Sequence, residues 1–445
     1  MSIAYCIPVY KHNEHLQESI IGCIDYLANY NIDIYVFDSS PDDVNRNFVA
    51  SLQEQGYDSL YYISIDEDVI AADKVMMIYK QEYMQKKYDF IWLVKDRSYW
   101  SEDLIYRVVN ACEMNPDAIV LHTIDNPNNS GIEYKEIYNQ ITELYRDWAW
   151  LITSWESLII NSEITNRVKF DELRKKYYID NDTNFPPVIT LFTALSQNEY
   201  CNVAILNAEN SVHNFNAPMD ETGREEALFK VWGYNWYHTN MLLPNIYNEY
   251  KEYVIKSTAS LPWLIGNRMR LIELYYKGIL NIDRINIVRD IWRYLSDIPW
   301  EELECIVSGD VEYIENCFVN STFELIKTNS MNYALYYYSK RQWYVEGVSN
   351  YDVQITSYIM DIYFLEMQKL GYANLFSGGN SREYLFDLIE NSIRILKIID
   401  DEEMVKDTKL RDYIKSDKIS KYMVLYLASR ECKDAERVLK TYMSM

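Results

Sequence analysis

The chain is poor in the residues that staple, ligate or span. It holds seven cysteines in 445 residues, with no C-x-x-C pair and no short spacing between any two. An odd count in a chain this long argues against a disulfide framework, and no zinc-ligand spacing occurs. The expectation is reduced thiols and a cytoplasmic location. No stretch of about 18 apolar residues is present, so no membrane span is expected. The opening "MSIAYCIPVYKHNE" lacks the basic region and long apolar run of a signal peptide. Positive charge is also scarce: 43 Lys and Arg stand against 67 Asp and Glu, a formal net charge of -24. Such a surface lacks the electrostatic attraction that dominates binding to phosphate backbones, which excludes a nucleic-acid binder. A single small anionic ligand held by a few local cations stays compatible with it. No internal repeat of fixed period is visible.

What is present is apolar surface, 49% of residues, enough for a sizeable core and, at this length, two or three domains. Forty-two tyrosines, beside many Asn, Ile and Lys, read as codon bias. The first half alternates. The runs "IAYCIPV", "IDIYVFD", "LYYISID", "DFIWLV" and "AIVLHT" are strand-like, and "HLQESIIGCIDYLANY", "DDVNRNFVASLQEQG", "ADKVMMIYKQEYMQKK" and "SEDLIYRVVNACEMN" between them have helical spacing. That alternation predicts βαβ units and a parallel sheet, and near-continuous apolar runs fit strands covered on both faces. Further on, "EYKEIYNQITELYRDW" reads as a helix, "AWLITSWESLIIN" as one or two strands, "NFPPVITLFTALSQ" as a helix opened by its prolines, and "CNVAIL" as a strand. After about residue 250 only helical patterns follow, including "RINIVRDIWRYLSD", "DVQITSYIMDIYFLEMQKLG" and "SREYLFDLIENSIRILKIID". The expected division is therefore an α/β domain over residues 1–250 and an α-helical domain over 251–445.

In open α/β sheets ligands bind beyond the carboxyl ends of the strands. Polar and charged residues gather there in this chain: Pro8-Val9-Tyr10 after the first strand, Asp38-Ser39-Ser40 after the second, Asp66-Glu67-Asp68 after the third, and Lys95-Asp96-Arg97 after the fourth. One-sided placement of this kind is not needed for folding, although strand ends are also where loops begin.

Taken together, "IAYCIPVYKHNEHLQESI", "IYVFDSS" and "FIWLVKDRSYWSEDL" resemble the nucleotide-sugar-binding half of GT-A fold glycosyltransferases, in particular bacterial family 2-like enzymes. The resemblance covers roughly residues 1–250 and implies a Rossmann-like GT-A domain followed by an α-helical C-terminal domain. It implies that Asp38 meets the base of a uridine nucleotide, that Pro8 and Tyr10 shape the base pocket, and that Lys74 lies near the phosphates. Turn capping is the rival role for Asp38, core packing for Tyr10, and a plain surface position for Lys74.

The family's Asp-x-Asp would fall on Val94, Lys95 and Asp96, so the first carboxylate is replaced by Val94. Asp96 and His213 are the implied metal ligands, for Mn²⁺ or Mg²⁺ bridging a diphosphate. Alternatively Lys95, Arg97 or Arg224 offset the phosphate charge without a metal. The base that takes the acceptor proton would come from "YYIDNDTNFPPVITLF", as Asp182 or Asp180, both of which also suit loop or capping roles. Trp148 and Trp155 offer apolar faces for a sugar but are more readily explained as core. "FKVWGYNWYHTNMLLPNIYNEYK" either closes over the donor or joins domains.

The resemblance thus implies transfer of a hexose or N-acetylhexosamine from a UDP-sugar to a hydroxyl of a glycan acceptor, on a surface glycoprotein or polysaccharide. The helical domain would bind acceptor or pair as a homo-oligomer. Two other readings stay open. One is a non-catalytic GT-A-fold partner of an active transferase, suggested by Val94. The other is a nucleotidyltransferase, which would need a glycine-rich loop where "PVYKHNEH" stands.

Overall fold

In the computed structural model, residues 1–11, 13–65, 71–80, 84, 87–123, 135–198, 200–209, 211–214, 227–261, 263–310, 313, 314 and 317 are described. The first apolar run forms β1 (Ile3–Val9), buried along its whole length. Such a strand must be covered on both faces, and β2 (Asp33–Asp38), β3 (Leu60–Ser64) and β4 (Phe90–Leu93) join it in parallel, in the order β3-β2-β1-β4. Helices α1 (Asn13–Asn29), α2 (Val44–Glu54) and α3 (Ala71–Lys80) make the crossovers. Gly56, with φ of 101°, turns the chain out of α2 towards β3, a conformation that favours glycine.

Beyond β4 the chain leaves the sheet. β5 (Ser98–Trp100) pairs instead with β10 (Val212–Asn214). Helix α4 (Glu102–Glu113) then begins on Ser101, whose hydroxyl accepts from the Leu104 N–H, with Glu102 and Asp103 placed favourably in its first turn. β6 (Ala118–His122), β7 (Ile137–Gln140), α5 (Ile141–Ile152), β8 (Leu158–Asn161), α6 (Pro186–Leu195) and β9 (Tyr200–Asn207) complete an eight-stranded sheet of order β3-β2-β1-β4-β8-β6-β9-β7. The arrangement is Rossmann-like α/β, but the sheet is mixed where the alternation predicts a parallel one. β8 runs antiparallel to both β4 and β6, and β7 antiparallel to β9. The reason is a short connection: α5 is followed by a single 3-10 turn, Trp155–Ser157, that drops the chain straight into β8. No crossover returns it to the amino edge.

Two other expectations are corrected. "EYKEIYNQITELYRDW" is not one helix: its residues 137–140 form β7, where Tyr138 is buried and donates its hydroxyl proton to Asp147 at 2.9 Å. "RINIVRDIWRYLSD" is broken into Ile282–Asn286, a 3-10 turn at Arg289–Ile291 and Trp292–Leu295. Its β-branched Ile285, Ile287, Val288 and Ile291 are weak helix formers, and burial of Ile285, Val288, Trp292 and Leu295 is met without a continuous helix.

The core around β1 and β4 is largely aliphatic, with an aromatic group at its centre. Tyr5 meets Trp92 edge-on at 5.2 Å between ring centroids, and Trp92 lies 5.9 Å from Trp100. Full burial of each such large side chain stabilises by about 1.5–3 kcal/mol or more.

The chain divides into two units. The first is Met1–Asn267 with Asn281–Trp300, and the second is Arg268–Leu280 with Glu301–Met445. The first unit also holds two π-helical stretches, Arg174–Ile179 and Phe229–Asn235, followed by α7 (Trp236–Leu242) and α8 (Asn248–Ala259). Residue 250 falls inside α8. In the second unit, α9 (Arg268–Tyr276) carries Arg268, which pairs with Glu302. The helical patterns beyond residue 350 lie outside the described residues.

Candidate functional site

β1 and β4 lie side by side and end together at the carboxyl edge of the sheet, with Cys6 in register with Leu93. Because β8 is antiparallel to β4, the turn that feeds it meets the same edge. The three segments wall a cavity of about 520 Å³. Pro8, Val9 and Tyr10 come from the end of β1, Lys95, Asp96 and Arg97 from the end of β4, and Thr153, Ser154 and Trp155 from the turn before β8. Lys74 of α3 and Trp232 of the second π-helical stretch complete the wall.

Lys74 is 3% exposed, not the surface residue its sequence context allows. Its ammonium donates to the Val9 carbonyl at 2.7 Å and to Ser39 Oγ at 2.6 Å. Burial pushes its pKa below the ordinary lysine value, while the charges of Asp38 and Asp96 act in the opposite direction. The carboxylates that end β2 and follow β4, far apart in sequence, thus act on one ammonium.

Asp38 stands behind this wall rather than on it. It is 1% exposed. Oδ1 accepts from the Ser40 N–H at 2.8 Å and the Ser40 hydroxyl at 2.6 Å, and Oδ2 accepts from Asn45 Nδ2 at 3.0 Å and the Tyr62 hydroxyl at 3.1 Å. Four donors occupy the roughly four acceptor positions of a carboxylate. In this arrangement Asp38 braces the turn after β2, the rival role, and offers no oxygen to a ligand's base.

Lys95 is tied down as well. Its ammonium lies 2.8 Å from Glu156 Oε1 and 3.1 Å from Ser154 Oγ, and Glu156 Oε2 accepts from the Ser98 hydroxyl at 2.7 Å. This pair staples the end of β4 to the turn before β8 and so fixes two of the cavity's walls. Glu156 belongs to none of the motifs read from the sequence. The available signal was a lone carboxylate inside the apolar stretch "WLITSWESLII", a placement that calls for a buried partner. Trp155, set aside as core, lines the cavity, whereas Trp148 is fully buried. Trp232 also lines it, packed against Phe185 at 5.1 Å between centroids.

The expected bases are not on the wall. Asp182, with φ of 46° and a side chain 78% exposed, pairs with Lys230 at 2.7 Å, and Asp180 is exposed. The backbone of His213 pairs with Tyr99, three residues after Asp96. Arg224 and Asp66-Glu67-Asp68 lie outside the described residues. Among the described residues no three His, Cys, Asp or Glu groups come together to hold a metal ion. Asp96 is the one carboxylate among the described wall residues, and Val94 is fully buried in the apolar core. This donor set does not fit a metal centre built by the protein alone.

No family model matches the chain, and no curated protein does. Among solved structures it is similar to residues 1–349 of S. aureus TarS in complex with UDP-GlcNAc, at 10% identity over 71% of this chain and 89% of that one, TM-score 0.40. It is also similar to the mannosyltransferase PcManGT from Pyrobaculum calidifontis in complex with GDP-Man and Mn²⁺, at 10% identity over 65% and 78%, TM-score 0.37. A third is glucosyl-3-phosphoglycerate synthase from Mycobacterium tuberculosis with Mn²⁺, UDP and phosphoglyceric acid, at 12% identity over 50% and 73%, TM-score 0.33. Scores this low carry no argument about what this chain does.

Proposed function

We propose that the chain is a GT-A fold glycosyltransferase that holds a UDP-sugar in the cavity at the carboxyl ends of β1 and β4. It would move a hexose or N-acetylhexosamine to a hydroxyl of a glycan acceptor, on a surface glycoprotein or polysaccharide. One observation supports this above others: Pro8, Tyr10, Lys74, Lys95, Asp96 and Arg97, drawn from three separate segments, line one cavity at the sheet edge where α/β ligands bind. Its size suits a nucleotide-sized ligand.

In this reading Tyr10 and Pro8 flank the base, and Lys74 and Arg97 face the diphosphate. Trp155 and Trp232 supply apolar surface for a sugar ring. Lys95, held by Glu156, positions the segment that carries Asp96 and Arg97. In the transfer step the acceptor oxygen bonds to the anomeric carbon, the bond from that carbon to the diphosphate oxygen breaks, and UDP departs. The hydroxyl proton passes to a carboxylate. Asp182, with Asp180 beside it, is the candidate base, supported by the Lys230 ion pair that ties it to the segment carrying Trp232. The second unit, Arg268–Leu280 with Glu301–Met445, would act as the helical accessory part.

Calorimetry with UDP, followed by assay of UDP release from UDP-glucose and UDP-N-acetylglucosamine, tests this. Binding in the micromolar range and turnover of at least one donor is the expected result. No binding at millimolar UDP would overturn it. The absent first carboxylate, and a cavity lining that includes neither candidate base, favour a second reading, a non-catalytic partner of an active transferase. UDP binding with no release from any donor, alone or with acceptor glycans, would select it.

A further inference from the structure

We infer that the buried ammonium of Lys74 occupies the electrostatic role of a divalent cation, so that this cavity binds a nucleoside diphosphate through protein cations and without a metal ion. The inference rests on the nucleotide-sugar reading above and specifies how that site handles charge.

Three observations lead to it. First, among the described residues the wall carries three basic side chains, Lys74, Lys95 and Arg97, and one carboxylate, Asp96, a lining that suits an anion. Second, Lys74 is positioned as a ligand group. An ammonium has three donors, and Val9 O and Ser39 Oγ take two of them from the protein side. The third donor remains for a phosphate oxygen, and an anion there would offset the desolvation of a charge so deeply placed. Third, the same ammonium lines one cavity with Asp96, the residue a metal would need. A doubly charged ion on that carboxylate would face a buried like charge in a medium of low dielectric, where repulsion is strong. Val94 removes the second carboxylate that could have compensated it, and its side chain is fixed in the core.

The test is isothermal calorimetry of UDP with the full chain, in EDTA and in millimolar Mn²⁺ or Mg²⁺, on wild type, Lys74→Met and Lys74→Arg. Thermal melts establish that each variant is folded. Wild type is expected to bind UDP with a Kd that agrees within about threefold in all three buffers, well under the tenfold that 1.4 kcal/mol represents. Lys74→Met is expected to weaken binding by about tenfold or more, with no recovery in Mn²⁺. Lys74→Arg, which keeps the charge, is expected to retain more affinity than Lys74→Met. Tenfold tighter binding with Mn²⁺, or loss of binding in EDTA, would overturn the inference while leaving the nucleotide-sugar reading intact. Should Lys74→Met fail to fold, the wild-type comparison decides alone. Failure of wild type to bind either UDP or GDP in any buffer would remove both readings together.

Discussion

Asp38 carries the clearest consequence at the scale of single residues. Read from the sequence, Asp38 after its buried strand suits a ligand contact, with a turn brace as the rival role. The structure assigns all of its acceptor positions to Ser40, Asn45 and Tyr62. Asp38→Asn removes the charge and one acceptor oxygen, so the bonds from Ser40 weaken and those from Asn45 and Tyr62 must be remade. We expect a loss of about 2–4 kcal/mol in urea unfolding, since hydrogen bonds to a charged group contribute about 1.5–3 kcal/mol each. A loss below 0.5 kcal/mol, about the size of a surface change, would refute the bracing role. Asp182 is the opposite case. Its exposed pairing with Lys230 contributes little, so Asp182→Asn should leave the melting temperature and UDP affinity essentially unchanged. Transfer should fall by about 10²–10⁴-fold if Asp182 is the base. Wild-type turnover in this variant would end that assignment. Lys74 shows the limit of local reading: nothing in "AADKVMM" distinguishes a surface lysine from a buried one, because its burial depends on two strand ends far away in sequence.

Among the elements, those with strong local signals appear where the pattern puts them. β1 is Ile3–Val9, α4 follows its Ser101 cap, and Pro186 and Pro187 open α6. The direction of β8 was not legible, because a strand's apolar pattern is the same whichever way it runs. That direction matters to the site, since it brings Thr153, Ser154 and Trp155 to the cavity. The aromatic stretch from residue 229 became a π-helical segment and α7, with Trp232 on the cavity wall and His238 packed against Tyr234 and Tyr237. Burial, and then the charge of Lys230, lower the pKa of His238. The folded state therefore holds His238 neutral where the unfolded chain, with a value near 6.5, takes up a proton. Below that value the unfolded state binds more protons, so this contribution to stability is present above about pH 6.5 and is lost as pH falls. Melting temperature should drop more between pH 7.5 and 5.5 for wild type than for His238→Asn. Equal drops would show that His238 does not contribute.

For the whole molecule, the course of the chain decides what can fold alone. A cut at residue 250 would divide α8 and remove Ile255, Ile265, Val288, Trp292 and Leu295, all buried residues of the first unit. Large apolar side chains lost from a core cost about 2–5 kcal/mol each, and several together exceed the usual stability of a domain. We expect residues 1–250 to aggregate or to show no cooperative melt by circular dichroism, and residues 1–310 to melt cooperatively. A cooperative transition in the shorter fragment would show that residues 251–300 are dispensable to the fold.

The amino-acid order by itself determined the α/β class, the first four strands and two of the segments that line the cavity, those that follow β1 and β4. These follow from short-range periodicity and from polar residues placed just past apolar runs, both local properties. Only the tertiary structure decided that Asp38 is sealed behind the site, that Glu156 holds Lys95, and that Asp180 and Asp182 stand off the cavity wall. Which partner a polar side chain meets depends on strand direction and on contacts between residues tens of positions apart, and no local pattern encodes either.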